Sequence, residues 1–258
     1  MVMELDLSGR RALVTGGGQG VGRGIALGLA AAGAEVVVND ISDERAGAVV
    51  EEMSAQGGRG IAAVFDVTDH AAVRAAVGEV GGVDVLVNNA GNAGVVGFGA
   101  RGPFAESEPD SWEPYLQVNL YGAMHCARAT LPAMIEQGWG RIVTIVSDAG
   151  RTGDTYLSAY SAAKAGAAGF TRALARETGR HGITVNNIAL GTMRTPQTEA
   201  LWADSGNEQA KAMLRSYVIR RPGTPEDVAP LVVFFASEYS SWITGQTYPL
   251  NGGFSFSL

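Results

Sequence analysis

The stretch Arg11-Ala12-Leu13-Val14-Thr15-Gly16-Gly17-Gly18-Gln19-Gly20-Val21-Gly22 decides the fold class. Its first five residues read as a short buried strand that ends in glycine. Ile25, Leu29 and Ala32 then recur at helical spacing, and Gly33 supplies a stop. The glycines therefore sit between a strand and a helix. There they let backbone amides approach a pyrophosphate, and the helix amino terminus adds partial positive charge. Glu35–Asn39 is again continuous and β-branched, the pattern of a strand covered on both faces.

The alternation repeats along the chain. Further strands are expected at Gly60–Phe65, Val83–Val87, Arg141–Val146, Ile183–Ile188 and Gln246–Leu250. Helices are expected at Asp43–Gln56, Asp69–Glu79, Trp112–Gln137 and Tyr156–Arg180. Thr224-Pro225-Glu226-Asp227 reads as an N-cap, a proline at the first helical position and an acidic first turn, opening a last helix to Ser237. A glycine-rich loop spans Asn92–Gly102, and a long irregular segment spans Gly191–Pro222. Strands alternating with helices imply right-handed crossovers and a doubly wound parallel sheet, a three-layer α/β Rossmann fold of about seven strands. No repeat, low-complexity tract or linker divides residues 1–258, so one domain is expected.

Composition narrows the class. Of 258 residues 46% are hydrophobic and 17% charged, which excludes a disordered chain. A formal charge of −7 argues against nucleic acid, which demands clustered Lys and Arg. Met1–Asp6 holds two acids and no basic residue, unlike a secretory signal. The longest uncharged stretch, Tyr239–Leu258, is interrupted by Gly245, Pro249, Asn251, Gly252 and Gly253 and cannot span a bilayer. Cys126 stands alone and cannot form an internal disulfide, so a reducing, cytoplasmic location is expected. His70, His125 and His181 share no metal-ligand spacing, and no metal is expected.

Asp40 ends the second strand, where a carboxylate accepts from an adenosine ribose, unless it merely caps the next helix. Such a carboxylate repels a 2′-phosphate by ~4 kcal/mol at ~4 Å and an effective dielectric of ~20. Gln19 takes the place in the glycine loop where an arginine would offset that repulsion, so the reading is NAD. Gly18, Val21 and Ile41 border the same surface. Asp66 and Val67 follow the third strand, suited to the adenine; Asn88-Asn89-Ala90-Gly91 follow the fourth. The asparagines alternatively just pair loop backbone.

Tyr160 and Lys164 stand at i, i+4 on one helical face. A phenol of ordinary pKa about 10 needs ~4 kcal/mol of phenolate stabilisation to act as a base near neutrality. A lysine one turn away is a source of it, together with the positive nicotinamide. Ser147, just past the fifth strand, adds a hydroxyl donor for a carbonyl oxygen. Asn119 is an amide inside a helix, where it competes with backbone hydrogen bonds. Tyr156 has no comparable partner, since Tyr160 occupies its i+4 position.

These motifs, with Ile243-Thr244-Gly245-Gln246 and Asn251-Gly252-Gly253 near the end, identify the chain as similar over its whole length to the classical short-chain dehydrogenase/reductase family. The resemblance implies Tyr160 as acid/base, Lys164 lowering its pKa and holding the nicotinamide ribose, Ser147 positioning the substrate oxygen and Asn119 supporting a relay water. It also implies Met193 and Thr195 beside the carboxamide, and a homo-oligomer, most simply a tetramer. Leu190-Gly191 departs from the family's usual Pro-Gly and is expected to loosen that turn.

The expected function is interconversion of a secondary alcohol and a ketone, with a hydroxyacyl or oxoacyl thioester or an alicyclic alcohol as substrate. Trp202, Met213, Leu214 and Tyr217 are expected to form an apolar lid over it rather than merely pack a short helix pair, and Arg151, Arg194, Lys211 and Arg215 read as a solvated face rather than a site for an anionic tail such as a CoA phosphate. Two rivals are a catalytically silent NAD-binding regulator or scaffold, which has no need of all four reactive residues, and a sugar epimerase, for which Gly191–Leu258 is too short a substrate domain.

Overall fold

The structure, a computed structural model, describes residues 5–91, 102–204 and 206–256. Seven parallel strands form one sheet in the order β3-β2-β1-β4-β5-β6-β7. They are β1 (Arg11–Val14), β2 (Glu35–Asp40), β3 (Arg59–Val64), β4 (Val85–Asn88), β5 (Gly140–Ser147), β6 (Ile183–Leu190) and β7 (Thr247–Leu250). The crossover helices are α1 (Gly20–Ala31), α2 (Asp43–Ala55), α3 (His70–Glu79), α4 (Glu113–Leu116), α5 (Gly122–Gln137), α6 (Ala149–Thr152) and α7 (Ser158–Thr178). Beyond β6 come α8 (Glu199–Trp202), α9 (Glu208–Leu214) and α10 (Pro225–Ala236). The α/β class and doubly wound order are as the sequence implies. Most of the expected glycine-rich loop, residues 92–101, lies outside the described residues.

Alternate strand positions feed two cores. Ala12, Val14, Val36, Val38, Val85 and Val87 pack under α1 and α10, and Leu13, Val37, Leu86 and Ile142 pack under α3 and α5. This two-sided burial explains why the strands read as continuous apolar runs.

Two expected helices differ. The segment expected as one helix over Trp112–Gln137 is broken: α4 passes into a π-helical turn at Gln117–Tyr121 before α5 begins. The amide of Asn119 sits inside that turn and donates to the Tyr115 carbonyl at 3.0 Å. The helix expected from Tyr156 starts at Ser158. Tyr156 has φ +67°, a left-handed backbone that a right-handed helix cannot include.

α1 lies against α10 through glycine. A Cβ on Gly24 would fall 2.5 Å from the Pro225 Cβ, whereas one on Gly47, in α2, would meet nothing within 4 Å. Gly24→Ala is therefore expected to destabilise the fold by ~1–3 kcal/mol through overpacking. Gly47→Ala should stabilise it by ~0.5–1 kcal/mol through helix propensity. Denaturant unfolding of the two variants checks the opposite signs.

Candidate active site

Connections leave β1 and β4 toward opposite flanks of the sheet, so a crevice opens beyond their carboxyl ends, the place where open α/β sheets bind ligands. One set of bonds shapes it. The Thr15 hydroxyl accepts from the N–H groups of Asn89 and Ala90, both at 3.0 Å. The Asn89 side-chain amide donates back to the carbonyls of Thr15 and Gly16, at 3.0 and 3.1 Å. Asn89 thus pairs loop backbone and borders the crevice at once. Gly16 and Gly20 have φ of +60° and +53°, backbone that favours glycine, and a side chain at Gly22 would overlap the Gly16 carbonyl and the Asn89 amide. Gln19 precedes α1 without capping it through its side chain, and Val21 packs on the core. Across the loop, Thr195 stands 3.5 Å from where a Gly20 Cβ would be. The residues fit a dinucleotide: a bare backbone cradle ending at a helix amino terminus.

Asp40 is buried beside this cradle, its Oδ2 2.6 Å from where a Gly18 Cβ would stand. Its Oδ1 accepts from the Ser42 N–H at 3.0 Å and from Arg45 Nε and Nη2 at 3.2 and 2.5 Å. Arg45 is a residue that sequence reasoning missed. It lies outside the loop, in the first turn of α2, and its spacing from Asp40 is the only clue. Ile41 is exposed. Asp66 accepts from Thr68 through Oδ1, and Val67 is buried with its carbonyl 3.0 Å from His125 Nδ1. The ring of His125 lies 5.2 Å from that of His70, a proximity their separation in sequence hides.

The reactive groups converge deeper in. Tyr160 is buried on α7 and hydrogen bonds Ser147 at the end of β5. The Ala149 N–H donates to Ser147 Oγ at 3.2 Å, which leaves the serine hydroxyl proton free to be given. Lys164, also buried, donates from Nζ to the Ile145 carbonyl at 2.8 Å. A Cβ on Gly91 would fall 3.0 Å from Asn119 Oδ1 and 3.1 Å from Lys164 Nζ, so both polar atoms face the Gly91 backbone. Burial pushes the Tyr160 phenol up to about 12 against the Ser147 hydrogen bond, and pushes the Lys164 ammonium down to about 8. The expected depression of Tyr160 by Lys164 is therefore not a property of the chain alone. Lys164 Nζ lies 5.8 Å from the ring centre, and its strongest bond is to backbone.

Three residues differ from expectation, two in the segment after β6 and one in α6. Gly191 is clamped rather than loose, since a Cβ there would fall 3.1 Å from Asn251 Cα and from Tyr217 Cε1. Tyr217 is buried, with its hydroxyl bonded to Thr192 N–H and Oγ1 at 2.8 and 2.9 Å, so it braces the turn instead of facing a substrate. Arg151 is paired with the buried Asp148 at 2.7 Å and is no solvated cation. Met193 bridges Gly223 in parallel register. Trp202 and Leu214 line a cavity of about 170 Å³ with Arg194, Asn207 and Lys211. A second cavity, about 420 Å³, opens at the amino ends of β1 and β2 among Arg11, Glu35 and Asp84, the wrong end of the sheet for this chemistry.

Comparison with known proteins agrees with this geometry. The family model described as enoyl-(acyl carrier protein) reductase matches residues 16–255, and the chain belongs to the short-chain dehydrogenase/reductase family of oxidoreductases. It is 39% identical over 255 residues to the (2S)-[(R)-hydroxy(phenyl)methyl]succinyl-CoA dehydrogenase subunit BbsD of Thauera aromatica, covering 96% of this chain and 98% of that one. It is 38% identical over 257 residues to the 3-oxoacyl-[acyl-carrier-protein] reductase of Aquifex aeolicus, covering 97% and 99%. A gluconate 5-dehydrogenase from Burkholderia cenocepacia, solved with NADP and tartrate, superposes with a TM-score of 0.90 at 34% identity, covering 99% of this chain and 98% of that one. Among the described residues no helix is long and apolar enough to cross a membrane, and no three His, Cys, Asp or Glu side chains gather as for a metal ion.

Proposed function

We propose that the protein is an NAD-dependent oxidoreductase that interconverts a secondary alcohol and a ketone, with an oxoacyl or hydroxyacyl thioester as the first substrate class to test. The observation that carries this reading is the Tyr160–Ser147 hydrogen bond beyond the end of β5, with Asn119 Oδ1 and Lys164 Nζ facing the Gly91 backbone beyond the end of β4. A silent binding protein has no need to keep a buried phenol bonded to a serine with a buried lysine one turn away. The cofactor supplies and accepts the hydride. Gly16, Gly18, Gly20, Gly22, Asp40, Asn89, Ala90, Gly91, Met193 and Thr195 hold it, and Asp66 and Val67 flank its adenine.

In reduction, Ser147 Oγ–H and Tyr160 Oη–H both donate to the carbonyl oxygen, and Tyr160 hands over its proton. A phenol that burial keeps protonated is well matched to that direction. In oxidation Tyr160 Oη takes the alcohol proton, which requires positive charge nearby. The Lys164 ammonium, cationic below about 8, contributes it, and Asn119 orients the water that returns protons to solvent. Residues 191–222 form the cover over the substrate.

The NAD preference rests on Asp40. Arg45 occupies Oδ1 and leaves Oδ2 toward Gly18, where a ribose hydroxyl donates to it. The NADP in the Burkholderia relative does not decide the matter for this chain. The homo-oligomer rests on the end of the chain, where Trp242 is 98% exposed and Phe256 73% exposed in a stretch without charge. Large exposed aromatics in such a stretch mark an interface, and closed symmetry, most simply a tetramer, covers them.

Three outcomes follow. Tyr160→Phe should lower turnover by ~10²–10⁴-fold, the usual contribution of general acid–base catalysis, with little change in NADH binding; a variant retaining a tenth of the wild-type rate of NADH-dependent reduction of acetoacetyl-CoA would refute the assignment. Asp40→Ala should raise kcat/KM for NADPH relative to NADH, because it frees Arg45 to face a 2′-phosphate. The double variant Asp40→Ala/Arg45→Ala should lose that gain, and a wild type that already prefers NADPH contradicts the reading. Light scattering at micromolar concentration should give a multiple of 26.7 kDa; a monomer mass rules the oligomer out.

A further inference from the structure

Asp148 follows the serine assigned to the substrate oxygen, and it is only 3% exposed. Its carboxylate collects three donors, two of them from the end of the chain more than a hundred positions away. Oδ1 accepts from Arg151 Nη1 at 2.7 Å and from the Ser255 hydroxyl at 3.0 Å. Oδ2 accepts from the Asn251 amide at 2.6 Å. Arg151 also reaches the Ser255 hydroxyl at 2.7 Å and the Phe256 carbonyl at 3.1 Å, so it grips the tail twice more. The main chain of Asp148 is held as firmly: its N–H donates to the Leu190 carbonyl at 3.0 Å, and its carbonyl accepts from Arg151 and Thr152 at 2.8 Å each.

These bonds fix the peptide joining Asp148 to Ala149. That peptide's N–H is the group that holds Ser147 Oγ at 3.2 Å. Asn251 also belongs to a turn that braces the exit of the segment after β6. Its Oδ1 accepts from Gly253 N–H at 3.0 Å, Gly252 accepts from Ile219 N–H at 2.8 Å, and Phe254 packs on Tyr217 with ring centres 5.2 Å apart.

We propose that Asp148, Arg151, Asn251 and Ser255 are positioning residues: the tail clamps Asp148, the Asp148–Ala149 peptide is held in place, and its N–H aims the Ser147 hydroxyl at the reacting oxygen. The inference rests on the reading of Ser147 as the group that polarises that oxygen. A buried ion pair with several hydrogen bonds is a poor source of net stability but a strong determinant of geometry, and small displacements of a positioned donor are costly to rate. Nothing in the fold's core requires a carboxylate here, since β5 and β6 are already paired up to Ser147 and Leu190.

The consequence reaches Tyr160. The Ser147 hydrogen bond stabilises its phenolate against the effects of burial, Asp154 and Tyr115, with Lys164 on the same helix the cation nearby. If the clamp aims Ser147, loosening it must make Tyr160 harder to ionise. A purely structural clamp has no such effect.

The test uses the full-length protein with Ser255→Ala, Asp148→Asn, Arg151→Ala and Arg151→Lys. Tyr160 ionisation is read as the tyrosinate absorbance that Tyr160→Phe removes, in the NAD complex, without any substrate. Turnover is read separately with NADH and acetoacetyl-CoA. Ser255→Ala should move the Tyr160 midpoint upward and lower kcat about 3- to 10-fold, and Asp148→Asn about 10- to 100-fold, with the KM for NADH nearly unchanged. Arg151→Lys should restore part of what Arg151→Ala loses. The proposal is overturned if Ser255→Ala and Asp148→Asn keep the wild-type Tyr160 midpoint, whatever happens to their melting temperatures. It is overturned equally if they retain wild-type kcat on a probe that the wild type turns over. A wild type inert toward the thioester counts against the substrate class alone, because the ionisation readout stands without it.

Discussion

The exchange of hydrogen bonds between Thr15 and Asn89 is the constraint on which the rest of the site depends. Two neighbouring strands end at the same level, and their connections must leave in opposite directions without stranding buried backbone groups. The Thr15 hydroxyl accepts two N–H groups of the β4 connection, and Asn89 returns two bonds to the carbonyls opening the β1 connection. Each of these groups, left unmet in a buried place, costs about 1–3 kcal/mol. With them met, the glycine loop is held open as a backbone surface and Gly91 is presented to Asn119 and Lys164. Cofactor cradle and reactive centre thus share one pair of residues, and neither can be reshaped without the other.

Much of this was legible because it is local. A run such as Glu35–Asn39 reports burial on both faces, and Tyr160 and Lys164 lie one helical turn apart. What escaped is non-local or depends on backbone detail. Asn119 reads as a misfit in a helix, but the π-helical turn that accommodates it has no composition of its own. Arg151 looks like a surface cation until the fold brings Ser255 to its ion pair with Asp148, three residues away. Tyr217 looks like a lid residue until its hydroxyl finds Thr192. For Arg151 and Tyr217 the residue is legible and its distant partners are not, because Thr192, Ser255 and Phe256 stand 25 to 105 positions away and leave no periodic trace.

Asp40 shows the same limit in an electrostatic form. The loop alone sets one carboxylate against a phosphate, which is repulsive. The fold adds Arg45 on the far side of that carboxylate, so the net charge facing a ribose is smaller than one Asp suggests. Discrimination then comes from geometry: which carboxylate oxygen is free, and toward which backbone it points. Oδ1 is used by Arg45 and Ser42, and Oδ2 faces Gly18. In the proposed NAD reading, selectivity at this position is a property of a pair, and the arginine that supports the carboxylate is released toward a phosphate if the carboxylate is lost.

The reactive pair follows a related logic. Burial alone drives Tyr160 and Lys164 toward their neutral forms, the phenol upward and the ammonium downward. In the proposed reading, burial on its own favours a protonated Tyr160 and a weakened Lys164 cation. Hydrogen bonds and charges in the crevice oppose this, and the Ser147 hydroxyl acts in that direction on Tyr160. A donor with so much resting on its aim cannot be left to rotate. In the proposed mechanism the Ala149 N–H that holds it, and the clamped carboxylate of Asp148 that holds the Ala149 peptide, extend the reactive constellation to Asn251 and Ser255.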